Sequence, residues 1–331
     1  MKSRSLTPSS QEQLVASVVD GQAASNAKLS RPLISAVRLS ARSSRLIGSL
    51  AALAAVSIWG LTFAPSKIAL SEMGPLTLAA IRFAIALVVV VAIVWRFQLN
   101  PKRYRAVSWG TLALLGFTSV TLYYGFQNLG LERTSATEAG LLSASVPAIT
   151  AALSALALKE RISRLRILGI AFSIMGVVAV VLAGSSGEAG GSVEGDLLVM
   201  VGMVAWAFYT LFNKGVGGKM PESLLLAYTM GLGTLFLLPG VAIELSTVGF
   251  GPLSFAGLFS VLFLGLLGSC ASFFFWNLAL RHLDASEAAT YTNLVPVVTV
   301  ASASLLLGET LIPSQLLGGA LVIFGVYLSG H

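Results

Sequence analysis

Past residue 45 the chain runs as long apolar stretches parted by short polar ones, at 46–69, 76–96, 107–129, 135–158, 165–183, 197–214, 223–243, 254–280, 285–307 and 314–329. Each is dense in Leu, Val, Ala and Gly, and most reach the roughly 20 residues that a helix needs to cross about 30 Å of hydrocarbon. The last is short. Backbone groups in lipid must bond within their own segment, which leaves helices or closed barrels. Barrel strands would be about ten residues long and would alternate in polarity, and these stretches do not. The pattern predicts an all-α membrane protein of ten transmembrane helices.

The stretches repeat. Pro147, Glu160, Gly169 and Gly176 recur as Pro296, Glu309, Gly318 and Gly325, a constant offset of 149 (296 − 147). Upstream, Asn128, Leu131, Ala136 and Glu138 recur at the same offset as Asn277, Leu280, Ala285 and Glu287, while Trp59 and Lys67 match Trp206 and Lys214 at 147 (206 − 59). The expected organisation is a basic cytosolic tail over 1–45, one five-helix repeat over 46–183 and a second over 197–329. Five is odd, so the second repeat must enter the membrane from the opposite side, and the repeats are predicted to be inverted.

Charge supports this. Basic residues stay on the cytoplasmic side of membrane proteins. With the N-terminus inside, the inner segments hold 18 of the 21 Lys and Arg, and the outer loops hold one, Arg133. The inner turn with Lys159, Arg161, Arg164 and Arg166 has an outer copy with Gly308, Thr310, Pro313 and Gln315. Both termini are therefore expected in the cytoplasm, and the acidic loop with Glu188, Glu194 and Asp196 outside, in a bacterial-type inner membrane. The composition agrees, at 56% hydrophobic and 11% charged residues, with mean hydropathy +0.86.

The net charge of +7 does not point to nucleic acid, because the basic residues are spread over every inner loop instead of forming a stripe. The single cysteine, Cys270, allows no intrachain disulfide and no metal site. Residues 31–45 are faintly amphipathic and free of acids, as suits a membrane-surface helix or a transit peptide. An intramembrane enzyme lacks support: His282 and His331 lie at span ends, no HExxH or GxSx element accompanies them, and the middle thirds of the spans hold no acid or His. No catalytic residue, metal or cofactor is expected. Opposed copies of one bundle instead supply two states of similar energy, one open to each side, as secondary transporters require.

The residues also resemble a known family. WGLTF followed by Lys67, the RF at Arg82, and the repeated Pro, Glu, Gly, Gly pattern are similar to EamA-type transporters of the drug/metabolite transporter superfamily, over about 46–329. That resemblance implies a ten-helix carrier, often an exporter of amino acids or related metabolites, with its pathway along helices 1, 3, 4, 6, 8 and 9.

Depth suggests lining residues. Trp59 and Trp206 sit mid-span at equivalent positions, and each carries an indole N–H that wants a partner. Around them stand Thr62 and Phe63, and Tyr209. Spans 3 and 8 add Tyr123, Tyr124, Gln127 and Asn128 against Phe273, Phe274, Trp276 and Asn277; spans 4 and 9 add Ser143, Ser145 and Thr150 against Tyr291, Thr292 and Asn293. Rings mixed with neutral amides and hydroxyls suit an amphipathic solute, although the same residues serve as interhelical glue. Pro147 and Pro296 fall mid-span, where each should free a carbonyl and bend its helix.

Charges within spans are few: Lys67, Arg82, Glu138 and Glu287. A charge at depth costs on the order of 2.5–3.5 kcal/mol, so these should pair, snorkel or face water. Lys67 and Lys214 are expected to snorkel. Arg82 is expected at the outer gate, with Glu138, neutral hydroxyls, backbone carbonyls or a substrate carboxylate as its candidate partners, and a pair of Glu138 with Arg82 or Lys67 would lock that gate. The resulting expectation is a secondary carrier exporting small metabolites, amino acids foremost and aromatic ones in particular, by alternating access. A nucleotide-sugar or sugar-phosphate carrier is the alternative, with Lys67, Arg82 and Lys214 as its available cations. The partners are the small-molecule substrate and the bilayer.

Overall fold

The computed structural model describes residues 44–97, 107–158, 163–184, 191–216, 219–247, 249, 251–283, 288 and 291–329, and no strand occurs among them. In chain order, α1 is Ser44–Leu70, α2 Pro75–Arg96, and α3 runs as Trp109–Gly116, Phe117–Leu122 and Tyr123–Arg133. Then α4 runs as Ala136–Ser143 and Val146–Leu158, α5 is Arg164–Gly184, α6 Val193–Lys214 and α7 Glu222–Thr247. Finally α8 runs as Phe255–Phe263, Leu264–Ala271 and Ser272–His282, α9 is Leu294–Leu307 and α10 Pro313–Ser329. The basic tail expected over 1–45 lies almost wholly outside the described residues, as does Glu287.

Seven of these helices, α1, α2 and α4 to α8, are long and apolar enough to cross a membrane. The expectation of ten spans is thus met in part. α9, with 14 residues, is about 21 Å long, short of the hydrocarbon thickness. α3 is helical where expected, but its second half carries Gln127, Asn128, Glu132 and Arg133. Serines begin several helices: the hydroxyls of Ser108, Ser135, Ser192 and Ser254 accept from the N–H three residues on, at 3.0–3.1 Å. Large apolar side chains such as Val88, Leu156, Phe255 and Leu305 face outward, a surface that only lipid covers favourably.

The helices pair as a twofold would pair them. α5 packs on α10, α2 on α7, and α4 on α9, each helix against its repeat counterpart. α3 packs on α6, and α8 on α1, so the first helix of each half meets the third of the other. Small residues set these crossings. A Cβ on Gly176 would lie 2.6 Å from the Gly318 carbonyl, one on Gly318 3.0 Å from the Gly176 carbonyl, and one on Gly325 2.5 Å from the Gly169 carbonyl. Helices in lipid associate through van der Waals packing, and glycines permit this close approach. The same logic recurs at Gly195, which abuts Arg133 and Thr134, and at Gly48, which abuts His282 and Leu283, positions related by the 147 and 149 offsets.

Four helices depart from regular α geometry where the pattern of apolar positions gives no warning, α1 by a break at Thr62. α3 and α8 each contain a π-helical segment, Phe117–Leu122 and Leu264–Ala271, at repeat-related positions. Hydroxyls answer carbonyls there: Ser119 donates to Leu115 O at 2.6 Å and Ser272 to Gly268 O at 2.7 Å. α4 is interrupted at Ala144 and Ser145, so Pro147 falls in the first turn of Val146–Leu158. Pro296 likewise occupies the first turn of α9. The kinks expected at these prolines are therefore helix starts, where a missing N–H costs nothing.

Candidate functional site

A chain of aromatic rings crosses the centre and joins the two halves. The Trp59 ring lies 5.3 Å from Trp276 and 5.9 Å, edge-on, from Phe273. Phe273 is also 6.4 Å from Trp206, so one phenyl ring from α8 touches the equivalent tryptophans of both halves. From Trp206 the rings continue to Tyr209 at 5.0 Å and Tyr123 at 4.8 Å, then from Tyr123 to Tyr124 and from Tyr124 to Phe83, each at 4.6 Å. Such offset and edge-on pairs each contribute about 0.5–1.5 kcal/mol beyond area burial. Beside this chain lies a small cavity lined by Phe83, Ser119, Tyr124, Tyr209, Thr229 and Phe273, among others.

Arg82 stands at the end of the ring chain. It is 2% exposed, its guanidinium carbon lies 4.5 Å from the Tyr124 ring centroid and 5.5 Å from that of Phe83, and its Nε donates to Ser269 Oγ at 3.0 Å. The π-helical segment of α8 brings Ser269 here, and Gly268 beside it: a Cβ on Gly268 would meet Thr62 at 2.8 Å and the Arg82 guanidinium at 3.1 Å. Among the described residues Arg82 makes no ion pair, since the two pairs present both involve Arg133, with Glu132 at 3.1 Å and Glu194 at 3.4 Å. The candidate bond to Glu138 is not formed. A guanidinium stacked on rings is weakly hydrated and tolerates burial, and among the described residues no acid compensates its charge.

The other expected charges also have partners of their own. Lys67 does not snorkel: its ammonium donates to the carbonyls of Thr134 at 2.6 Å and Leu131 at 2.7 Å, closing the C-terminal end of α3. Glu138 is wholly buried, accepting from Gln315 Nε2 at 3.0 Å, with Thr134 Oγ1 2.6 Å away. The same Thr134 oxygen lies 2.6 Å from Asp196 Oδ1, and Asp196 is also wholly buried. Ser135 and Glu138 have capping-box spacing, but only half the box forms. The N–H groups of Ala136 and Thr137 donate instead to Glu309, at 2.9 and 2.8 Å. Two more carboxylates bridge in this way at the same end of the bundle: Glu244 accepts from the N–H groups of Leu76 and Thr77, and Glu72 from that of Ser254.

The structure brings together Trp59, Thr62, Tyr123, Tyr124, Trp206, Tyr209 and Arg82 from the sequence expectation, and separates others from them. Phe63 belongs to an apolar core cluster. Asn128 donates to Pro75 O at 3.0 Å, tying α3 to the start of α2. Ser145 donates to Leu142 O at 2.7 Å inside the α4 interruption. Phe274 is 61% exposed and faces away from the ring chain, contacting Phe275. Tyr291 packs with Ala51 and Ala279, while Asn277 and Asn293 are half-buried. Phe83 and Ser269 are the residues that the sequence expectation lacked, while of the expected pair Phe273 and Phe274 only Phe273 joins the ring chain. Phe273 and Phe274 are adjacent and chemically identical, and only the π-helical register decides which one points inward.

Two stretches of the chain, 46–182 and 193–330, match the EamA-like transporter family. An uncharacterized transporter of Archaeoglobus fulgidus is 31% identical over 273 residues, 82% of this chain and 95% of that protein. A protein of Salmonella typhimurium named a probable amino-acid metabolite efflux pump is 30% identical over 288 residues, 84% of this chain and 93% of its own. A probable terminal-alkyne amino-acid exporter of Streptantibioticus cattleyicolor is 30% identical over 273 residues, covering 82% and 90%. A solved crystal structure superposes over 87% of this chain and 97% of its own with a TM-score of 0.61 at 21% identity, a likeness of fold.

Proposed function

The chain belongs to the EamA-like transporter family, and from that premise we propose that it exports small carboxylate-bearing metabolites, amino acids foremost, across a bacterial-type inner membrane by alternating access. The observation that carries this reading is Arg82. A buried guanidinium without an acid among the described residues, held by Ser269 and the Tyr124 ring, is an anion site whose counter-charge the solute would bring. A carboxylate matches its remaining N–H fork in a bidentate pair. The rings from Phe83 through Tyr124 to Trp206 and Phe273 would take the apolar body. The names of relatives such as the Salmonella efflux pump favour an amino-acid cargo over other carboxylates.

Phosphorylated cargo fits less well. A phosphate dianion calls for more than one cation, and Lys67 is already engaged by the carbonyls of α3. The helix pairing described above supports two inverted five-helix halves, meeting at the ring chain, as the moving bodies. Movement of one half against the other would part Phe273 from one tryptophan or the other and open the site to one side at a time.

The test is counterflow in proteoliposomes with a panel of labelled amino acids, decarboxylated analogues and sugar phosphates. Amino acids should exchange, their decarboxylated amines should not, and Arg82→Ala should abolish exchange while leaving the protein monodisperse in detergent. Exchange of amines at the same rate as the parent amino acids would remove Arg82 from the reading, and exchange of sugar phosphates alone would replace it.

A further inference from the structure

Around Thr134 the hydrogen-bond count does not close unless a proton is added. Its hydroxyl has one hydrogen to donate, yet Oγ1 lies 2.6 Å from Glu138 Oε2 and 2.6 Å from Asp196 Oδ1. An ionised carboxylate only accepts. One of the two contacts is therefore a hydrogen bond only if the carboxyl itself carries a proton. Both Glu138 oxygens already accept, Oε1 from Gln315 Nε2 and Oε2 from Thr134, whereas Asp196 Oδ2 is buried with no partner. We infer that Asp196, Thr134 and Glu138 form a proton-binding site. In the occupied state Asp196 Oδ1–H donates to Thr134 Oγ1, and the Thr134 hydroxyl donates to Glu138.

The surroundings fit a single proton. Both carboxyls are wholly buried, and two carboxylates this close cannot both ionise without strong mutual repulsion. Among the described residues the charged groups facing the site are Lys67 from α1, whose ammonium lies on the Thr134 and Leu131 carbonyls, Glu132 and Arg133 at the end of α3, Glu194 in the first turn of α6, and Glu309 from between α9 and α10, which accepts from the first turn of α4. Arg133 is turned away, held by Glu132 and Glu194. Lys67, bound to carbonyls and shared with Glu309 and Glu132, cannot balance both carboxylates of the pair.

The site joins α3, α4, α6 and α10, so it bridges the two halves at the end that also carries the Glu72, Glu244 and Glu309 bridges. Occupied, it holds that end shut. Loss of the proton places two buried negative charges face to face, which only separation and hydration relieve. The proton is thus a ligand of the closed end.

Two measurements on the purified full-length chain test this without reference to any solute. Infrared difference spectra across a pH titration should contain the C=O stretch of a protonated carboxylic acid, lost in Asp196→Asn and restored to wild type in a Glu244→Gln control. Hydrogen exchange, corrected for intrinsic rates, should become several-fold faster over residues 134–142 as the band disappears, and Asp196→Asn should make it independent of pH. Thr134→Val removes the bridging hydroxyl but neither acid, so it should move the pH at which exchange speeds up without abolishing the dependence. A Thr134→Val profile identical to wild type would refute the inference, even if Asp196→Asn folds poorly. A wild-type spectrum without the band, a band retained in both Asp196→Asn and Glu138→Gln, or exchange that ignores pH in the wild type would overturn the inference. Failure of amino-acid counterflow would leave it intact.

Discussion

Lys67 discriminates sharply between two accounts of a lysine in the last turn of a membrane helix. Snorkelling would make its charge nearly neutral for stability, because the ammonium would sit in water before and after any perturbation. The structure instead directs it to carbonyl oxygens at 2.6 and 2.7 Å, with a third, Glu132 O, at 3.3 Å. Lys67→Met keeps the length and apolar contacts of the side chain and removes the donors. Hydrogen bonds to a charged group contribute about 1.5–3 kcal/mol each, and two bonds sharing one ammonium are not additive, so the expected loss is about 2–4 kcal/mol. That is roughly two decades in the unfolding equilibrium. Equilibrium unfolding in mixed micelles, followed by tryptophan fluorescence, measures it. A loss below about 0.5 kcal/mol would return Lys67 to the snorkelling class, where exposed charges belong.

Other expectations follow from the same contacts. Arg82→Ala and Glu138→Gln should combine additively in stability, since the two side chains share no partner; an interaction above about 0.5 kcal/mol would mean that they couple in another state. Phe273→Ala should abolish transport in a protein that still purifies as one species, whereas Phe274→Ala should leave transport near wild type; equal effects would place the pathway elsewhere. Gly176→Leu should disrupt the α5–α10 crossing, at a cost of about 1–3 kcal/mol or more from overpacking, while Gly251→Ala, with nothing within 4 Å of its Cβ, should be silent. Cysteines at Ser163 and Ser186, in a Cys270→Ala background, should react with an impermeant maleimide from opposite sides of a sealed membrane, and labelling of both from one side would sink the inverted arrangement.

What could be read from the sequence was what repeats or recurs with a period. The apolar stretches located the helices, and the double pattern of Pro, Glu and Gly located the halves. The equivalence of Trp59 and Trp206 foretold that they would share a neighbourhood, because residues related by a repeat take up related places around its axis. The neighbour they share, Phe273, was expected together with the adjacent Phe274, and the choice between them was hidden by a π-helical segment that rotates the helix by a fraction of a turn. The partner of Arg82 was hidden for another reason: Ser269 lies 187 residues away, and a serine in a membrane helix is too common to stand out. Asp196 read as an acid of an outer loop, since no local signal tells a carboxylate at a helix start to turn inward. Glu138 stood out by depth, but of the companions offered for it, Arg82 or Lys67, the structure gives neither a bond to it and supplies Thr134 and Gln315 instead.

The scaffold is close to symmetric, and its fastenings are not. At the offset of 147, the counterparts of Glu72 and Glu244 are Lys219 and Phe97, so the bridges these acids make to Ser254 and to Leu76 and Thr77 have no carboxylate equivalents in the other half. A carrier without an energy source cannot prefer a direction at equilibrium, whatever its shape, because detailed balance ties the inward and outward cycles together. Unequal fastenings fix something else, the conformation in which the empty protein waits. A carrier that rests closed at one end samples solute from the other, so it half-saturates at different concentrations on its two faces even while its net flux obeys the gradient. A few carboxylates on helix starts thus act as a kinetic preference for one compartment, written onto a fold that would otherwise treat both alike.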